Sequence, residues 1–187
     1  MPLPNDRARR AVRRELLRRT TGLALAGVAA PVLAQGGPGT AAARPAAPAI
    51  GTRVQLPAVR LLDGRELPPA YWRDKVVVIE LWASWCPFCK RQNPHLDRLH
   101  RAHAGSGGLE VLALSIDRDP EDARRYLREH GYAFHAAMFD ERWQAAIGRP
   151  NGLPIVWVIG RDGALKHLEI GEMFPEDIEE LARWRTT

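Results

Sequence analysis

The chain contains two cysteines, and they lie three positions apart in the run Cys86-Pro87-Phe88-Cys89. An apolar run from Val76 to Trp82 precedes them and a helix-compatible stretch follows, which predicts that the pair lies where a buried strand enters a helix. Two cysteines on the first turn of a helix can close a small disulfide ring or open to a dithiol. Free backbone N–H groups and the helix dipole there stabilise a thiolate at Cys86, which suits disulfide exchange with other proteins.

Other uses of the pair agree less well with the sequence. A disulfide between residues this close adds little chain-entropy stabilisation, and structural disulfides more usually join distant segments. A c-type haem would need a histidine directly after the second cysteine, where the chain has Lys90. A structural zinc site needs four ligands, and only two thiols are available. We therefore predict no cofactor and no metal site.

The N-terminal segment, residues 1–34, has the pattern of a bacterial export signal. Seven arginines fall within residues 1–19, and the uncharged, weakly apolar stretch Thr20 to Ala34 follows. Small residues at its end predict cleavage after Ala34, and the run around Arg13-Arg14 resembles the twin-arginine pattern. The apolar stretch is shorter than the roughly 20 residues that span a bilayer. An uncleaved membrane anchor and a basic arm that binds nucleic acid are the alternatives.

The positive charge of the chain is concentrated in that segment. Residues 1–34 contain seven of the 27 basic and two of the 22 acidic residues, so that 20 of each remain in the rest of the chain. A near-neutral mature protein offers no basic surface that would bind a phosphate backbone by charge, and we expect no nucleic-acid partner.

The remaining chain divides into a linker and one domain. Residues 35–50 are rich in Gly, Ala and Pro without a hydrophobic period and predict a disordered linker. In the domain, residues 51–187, near-continuous apolar runs predict buried strands, and Asp63-Gly64 predicts a hairpin turn. We expect strands over 54–62, 65–67, 76–82, 109–116, 133–139, 155–159 and 164–170, and helices over 87–103, 120–130, 141–147 and 175–184, an α/β fold with a mixed sheet.

The residues around the cysteines resemble a known active site. The run Leu81 to Lys90, with Pro94 five residues after the second cysteine, is similar to that of thioredoxin. The initial hairpin, the helix from Pro120 to His130 and the export signal resemble the TlpA/ResA/DsbE group of exported thiol-disulfide oxidoreductases. Over residues 51–184 the resemblance implies a thioredoxin-like fold, with a central mixed β-sheet flanked by helices, an N-terminal β-hairpin and an inserted helix.

The resemblance also implies roles for three residues in the reaction. Cys86, the more accessible thiol, attacks a client disulfide, and the more buried Cys89 resolves the mixed disulfide. Glu80, on the strand beneath them, takes and returns the proton of Cys89, because burial favours the protonated form of a carboxyl group. A strand acid that faces solvent is the alternative for Glu80, but its apolar neighbours argue against it.

A second segment is expected to bind the client. Gly152-Leu153-Pro154 matches the cis-proline segment of the family, which implies that Leu153 offers its backbone to a client peptide while Pro154 packs against the disulfide. A trans proline that opens a strand is the alternative. Trp85, Pro87 and Phe88 are predicted to border the client as well, and the two residues between the cysteines tune the stability of the Cys86 thiolate.

Together these features predict a periplasmic protein-disulfide reductase. The resemblance implies disulfide-bearing client proteins, apocytochrome c among them, and a membrane electron donor of the DsbD/CcdA type. Two alternatives stay open: an oxidant that donates its disulfide, and a periplasmic copper or zinc chaperone, since a soft dithiolate suits Cu(I). An antioxidant peroxidase is not expected, because Ala83 occupies the position where peroxiredoxins require threonine.

Overall fold

The computed structural model describes residues 46–105 and 108–186. The predicted export signal and most of the predicted linker lie outside these residues. The predicted start of the domain coincides with a backbone hydrogen bond from Gly51 N to Leu165 O of 2.7 Å, and the carbonyl of Ala46 lies so close to Gly148 that a side chain there would clash with it. None of the described helices is both long and apolar enough to cross a membrane.

The secondary structure follows the predicted order, with shorter elements at several positions. The strands are β1 (Val59–Arg60), β2 (Glu66–Leu67), β3 (Val76–Trp82), β4 (Leu109–Ser115), β5 (His135–Met138), β6 (Ile155–Ile159) and β7 (Leu165–Ile170). The α-helices are α1 (Pro87–His103), α2 (Pro120–His130), α3 (Glu141–Ile147) and α4 (Pro175–Glu180), and short 3-10 helices cover Pro69–Trp72 and Leu181–Arg185.

The main sheet has five strands in the order β5-β4-β3-β6-β7, and β1 and β2 form a separate antiparallel hairpin. Strands β3, β4 and β5 are parallel, β6 runs antiparallel to β3, and β7 runs antiparallel to β6. Every residue of β3 is buried, because apolar clusters cover both of its faces. This mixed sheet with flanking helices and an N-terminal hairpin confirms the predicted fold class.

The central strand, β3, places the cysteines at the end of the sheet where this strand finishes. Four residues after β3 ends, Cys86 caps the N-terminus of α1, and its Sγ accepts the backbone N–H of Cys89 at 3.2 Å. Pro87 occupies the first helical position, where its missing N–H costs nothing. The helix continues through Pro94 to His103, so that proline removes one backbone bond without ending the helix.

Two predicted elements are wrong in extent. The strand expected over 54–62 is reduced to β1, because the two ends of this stretch have different partners: Val54 N donates to Gly163 O at 2.8 Å, whereas Leu61 bridges to Ala137. The helix expected over 175–184 ends as an α-helix at Glu180 and continues as a 3-10 turn.

Candidate active site

The two cysteines form a disulfide across the first turn of α1, with their Cα atoms 5.3 Å apart. Cys89 is fully buried and Cys86 is 3% exposed, so Cys86 is the more exposed of the two thiols, although both are buried in the disulfide state. The reason is that both residues belong to the apolar cluster that fills one face of the sheet.

The peptide bond between Leu153 and Pro154 is cis, as the family resemblance implies. Ile155, the next residue, pairs with Leu81 of β3. This pairing brings the proline to the same end of the sheet as the cysteines. Among the described residues, no backbone hydrogen bond engages Leu153. Its N–H and C=O are therefore free to pair with an extended peptide.

Glu80 is fully buried on β3. Gln92 Nε2 donates a hydrogen bond to its Oε1 at 2.9 Å, and the amide nitrogen of Asn93 donates to its Oε2 at 2.8 Å and to the carbonyl oxygen of Cys89 at 3.1 Å. Burial raises the pKa of Glu80 to about 8, although the hydrogen bond from Gln92 works in the opposite direction. The side chain of Asn93 therefore links the Glu80 carboxyl group to the backbone of Cys89.

Large apolar side chains are exposed next to the two cysteines in the chain. Trp85 is 63% exposed and Phe88 49% exposed, whereas Trp82 is fully buried in the core. The segment from Ile170 to Phe174 adds two exposed apolar residues that the sequence did not single out. This segment lies beside the cis-proline, because Gly171 N donates to Pro154 O at 2.9 Å.

Comparisons with known proteins agree with this site. The family model described as Redoxin matches residues 50–183. The thiol:disulfide interchange protein DsbE homolog of Paracoccus denitrificans is 32% identical over 133 residues, which cover 70% of this chain and 68% of that protein. The chain belongs to the redoxin family.

Two further proteins are similar to this family member. The thiol-disulfide oxidoreductase ResA of Geobacillus thermodenitrificans is 28% identical over 120 residues, 64% of this chain and 68% of that protein. A crystal structure of a thioredoxin-family thiol:disulfide interchange protein from Chlorobium tepidum superposes with a TM-score of 0.65 at 20% identity, covering 79% of this chain and all of the other, which supports the fold. The protein is therefore a thiol-disulfide oxidoreductase with a thioredoxin-like fold.

Asp117 is a residue of this redoxin site that sequence reasoning missed. Its Oδ2 accepts the backbone N–H of Ser84 at 3.0 Å and the hydroxyl of Ser115 at 2.7 Å, while its Oδ1 accepts the hydroxyl of Ser84 at 2.8 Å. The feature of the sequence that could have revealed Asp117 is an acidic residue just after a predicted buried strand. Asp117 fixes the loop that carries Cys86.

Replacing Asp117 by Asn is expected to lower the free energy of unfolding by about 2 kcal/mol, because an amide nitrogen would face the Ser84 or Ser115 donors. Urea unfolding followed by circular dichroism measures the change. Glu66→Gln, at an exposed position, is the control. An unchanged midpoint for Asp117→Asn would show that Asp117 does not hold the loop.

A second polar cluster lies at the other end of the sheet, away from the cysteines. His100, Glu110 and His135 are buried, with ligand atoms within 4.8 Å of one another. Hydrogen bonds already engage these ligand atoms. Glu110 Oε2 lies 3.2 Å from His135 Nε2, and Glu110 Oε1 accepts the N–H of Gly105 at 3.2 Å. His100 Nδ1 accepts the N–H of Val111 at 3.3 Å. Lys75 adds a positive charge 3.5 Å from Glu110. We interpret this cluster as a structural hydrogen-bond network.

The network predicts loss of stability in acid. Although burial opposes ionisation, the hydrogen bonds from His135 and Gly105 and the charge of Lys75 lower the pKa of Glu110 to about 2. Because the folded pKa lies below the usual 4.5, the stability that ionised Glu110 contributes is complete above pH 4.5 and is lost as the pH falls towards 2. Burial also lowers the pKa of His100, whose protonation opposes folding in acid.

Glu110→Gln is expected to destabilise the protein by about 3 kcal/mol at neutral pH, because it leaves a buried ion-pair network incomplete. It should also flatten the decline of stability between pH 4.5 and 2, where Glu110 takes up its proton. Unfolding free energies across this range measure both effects. An equally steep acid decline in the variant would contradict the assignment.

Proposed function

We propose that this oxidoreductase acts outside the cytoplasm as a reductant of disulfide-bearing client proteins. One observation carries the proposal: Cys89 is buried and joined through Asn93 to a carboxyl whose pKa is raised to about 8, while Cys86 lies at the helix N-terminus. This arrangement separates an attacking thiol from a resolving thiol that has its own proton acceptor.

The reaction has two steps. The Cys86 thiolate attacks one sulfur of the client disulfide, forms a mixed disulfide and releases the other client sulfur as a thiolate. Cys89 then gives its proton to ionised Glu80 and attacks Cys86 Sγ, which closes the Cys86–Cys89 disulfide and releases the second client thiolate. The client gains two electrons and the protein loses two, and each client thiolate takes a proton from solvent.

Glu80 is matched to this task by its environment. Burial raises the pKa of Glu80 to about 8, so the carboxyl group can both take up and give back a proton near neutral pH. A pKa close to the working pH is the condition for efficient general acid–base catalysis. The same carboxyl returns the proton when Cys89 is reduced again.

The client is expected to bind across the cis-proline segment. Leu153 offers an unpaired backbone N–H and C=O for strand-like pairing, and Pro154 follows directly. Trp85, Pro87 and Phe88 adjoin the two cysteines in the chain, and Trp85 and Phe88 expose apolar surface to a client. Backbone pairing with apolar contacts suits clients of varied sequence.

Location and partners complete the proposal. Export through residues 1–34, cleavage after Ala34 and the linker over 35–50 would leave residues 51–187 as the periplasmic domain. Apocytochrome c is one proposed client, and a membrane electron carrier of the DsbD/CcdA type is the proposed donor of electrons, on the strength of the resemblance to the DsbE group. The N-terminal sequence of the exported protein tests the first part: Gln35 is expected, and Met1 would overturn it.

The reduction potential of the Cys86–Cys89 pair tests the direction of electron flow. Equilibration of the purified protein with glutathione or dithiothreitol is expected to give a value at or below about −230 mV, towards the thioredoxin end of the range. A value near about −120 mV would make the protein an oxidant instead. Stoichiometric copper or zinc after reducing purification, without reduction of insulin disulfides, would identify a metal chaperone.

A further inference from the structure

Two consecutive residues of α1 contact both oxygens of the buried carboxyl group. We infer that Gln92 and Asn93 are positioning residues that hold Glu80 as an amide clamp, with one amide N–H on each carboxylate oxygen, and fix it relative to Cys89. The inference rests on the proposed role of Glu80 as proton acceptor. Neither amide reacts; each acts through Glu80.

The orientation of the Gln92 amide is set by the backbone. Its Oε1 accepts the N–H of Met173 at 2.9 Å, so that its nitrogen end has to face Glu80, 2.9 Å away. Gln92 is only 1% exposed, which leaves no solvent to replace either partner. The Met173 N–H therefore holds the donor of the clamp in place.

The Asn93 amide is oriented in the same way by a different backbone group. One end of it lies 3.1 Å from the Cys89 carbonyl oxygen and 2.8 Å from Glu80 Oε2. A carbonyl oxygen can only accept, so this end is the nitrogen. The side chain is fully buried. Asn93 thus joins the carboxyl to the backbone of the resolving cysteine.

The clamp has a chemical consequence. Because backbone groups orient both amides, Glu80 meets N–H donors from the clamp in either protonation state. Donors favour the ionised form and oppose the effect of burial. A proton on Glu80 finds no acceptor in the clamp, so it is exchanged with a group outside it, which on the proposed function is the Cys89 thiol.

Other titratable groups near Glu80 do not replace the clamp. Tyr126 of α2 and Tyr132 beyond it interact electrostatically with Glu80. Burial raises the pKa of both phenols, so they stay neutral while Glu80 titrates. The two amides are then the groups whose removal should change the proton affinity of Glu80.

The test uses the near-isosteric apolar variants Gln92→Met and Asn93→Leu, with Arg98→Gln on the exposed side of the same helix as control. Carboxyl-¹³C NMR follows the titration of Glu80 in the full chain. We expect each clamp variant to raise its proton affinity about tenfold, since a hydrogen bond to a charged group is lost. The pH profile of mixed-disulfide resolution should move to higher pH by about one unit, and that of Arg98→Gln should not move.

An unchanged Glu80 titration in folded clamp variants would overturn the inference. If a variant does not fold, the wild-type protein supplies the second measurement: the side-chain amide resonances of Gln92 and Asn93 should shift with the midpoint of Glu80, and their insensitivity would also overturn it. Absence of insulin-disulfide reduction by a protein with normal titrations would contradict the proposed function alone.

Discussion

Replacing Cys89 by Ser is expected to leave the protein covalently attached to its clients, whereas Cys86→Ser should lower disulfide exchange to background. Without the resolving thiol, the mixed disulfide at Cys86 has no intramolecular attacker. Without Cys86, the remaining thiol is fully buried and is not the N-cap residue of the helix. Non-reducing electrophoresis followed by mass spectrometry of the cross-linked species measures the first effect, and insulin-disulfide reduction the second.

The two variants control for each other, because each removes one sulfur from the same ring. Cross-linked clients in Cys86→Ser, joined through Cys89, would reverse the proposed roles. Equal accumulation in both variants would mean that neither thiol is specialised.

Replacing Glu80 by Gln should slow resolution of the mixed disulfide by about 10² to 10⁴-fold, because an amide cannot accept the proton of Cys89. Attack by Cys86 on the client disulfide should keep its rate, since that step uses a thiolate at the N-cap. Single-turnover kinetics with a fluorescent disulfide peptide separates the two steps. Glu66→Gln is the exposed control, and an unchanged rate of resolution in Glu80→Gln would exclude Glu80 from the mechanism.

The same substitution should change how stability depends on pH. The folded pKa of Glu80, about 8, lies above the usual 4.5, so the folded protein holds this proton more tightly than the unfolded chain. Its contribution to stability is complete below pH 4.5 and declines as the pH rises to about 8. Glu80→Gln lacks this decline, so its stability should change less with pH than that of the wild type between pH 4.5 and 8, and parallel stability curves in urea would contradict the buried titration.

The parts of the site that the sequence predicts are the local ones. The strand that leads into Cys86 and the proline at the start of α1 each follow from a short run of residues, and the family resemblance implies the cis bond at Pro154. The burial of Glu80 also follows, because its neighbours on both sides along β3 are apolar.

The parts that could not be predicted depend on packing between distant elements. Ser84 and Asp117 are 33 positions apart, and Gln92 meets Met173 across 81 positions. Nothing in the sequence near Gln92 and Asn93 distinguishes two amides that hold a carboxylate from two polar residues on an exposed helix face. The low exposure of Cys86 has the same origin, since the cluster that covers it draws residues from several elements.

The unpaired backbone of Leu153, next to the cis-proline, favours clients that offer an unpaired strand of their own. A client cysteine in an extended segment can pair with this backbone, whereas one whose neighbours are already paired in a finished fold cannot. On the proposed function, reduction then precedes the folding of the client. The enzyme would act on newly translocated chains, and the completion of the client's own fold would end its access.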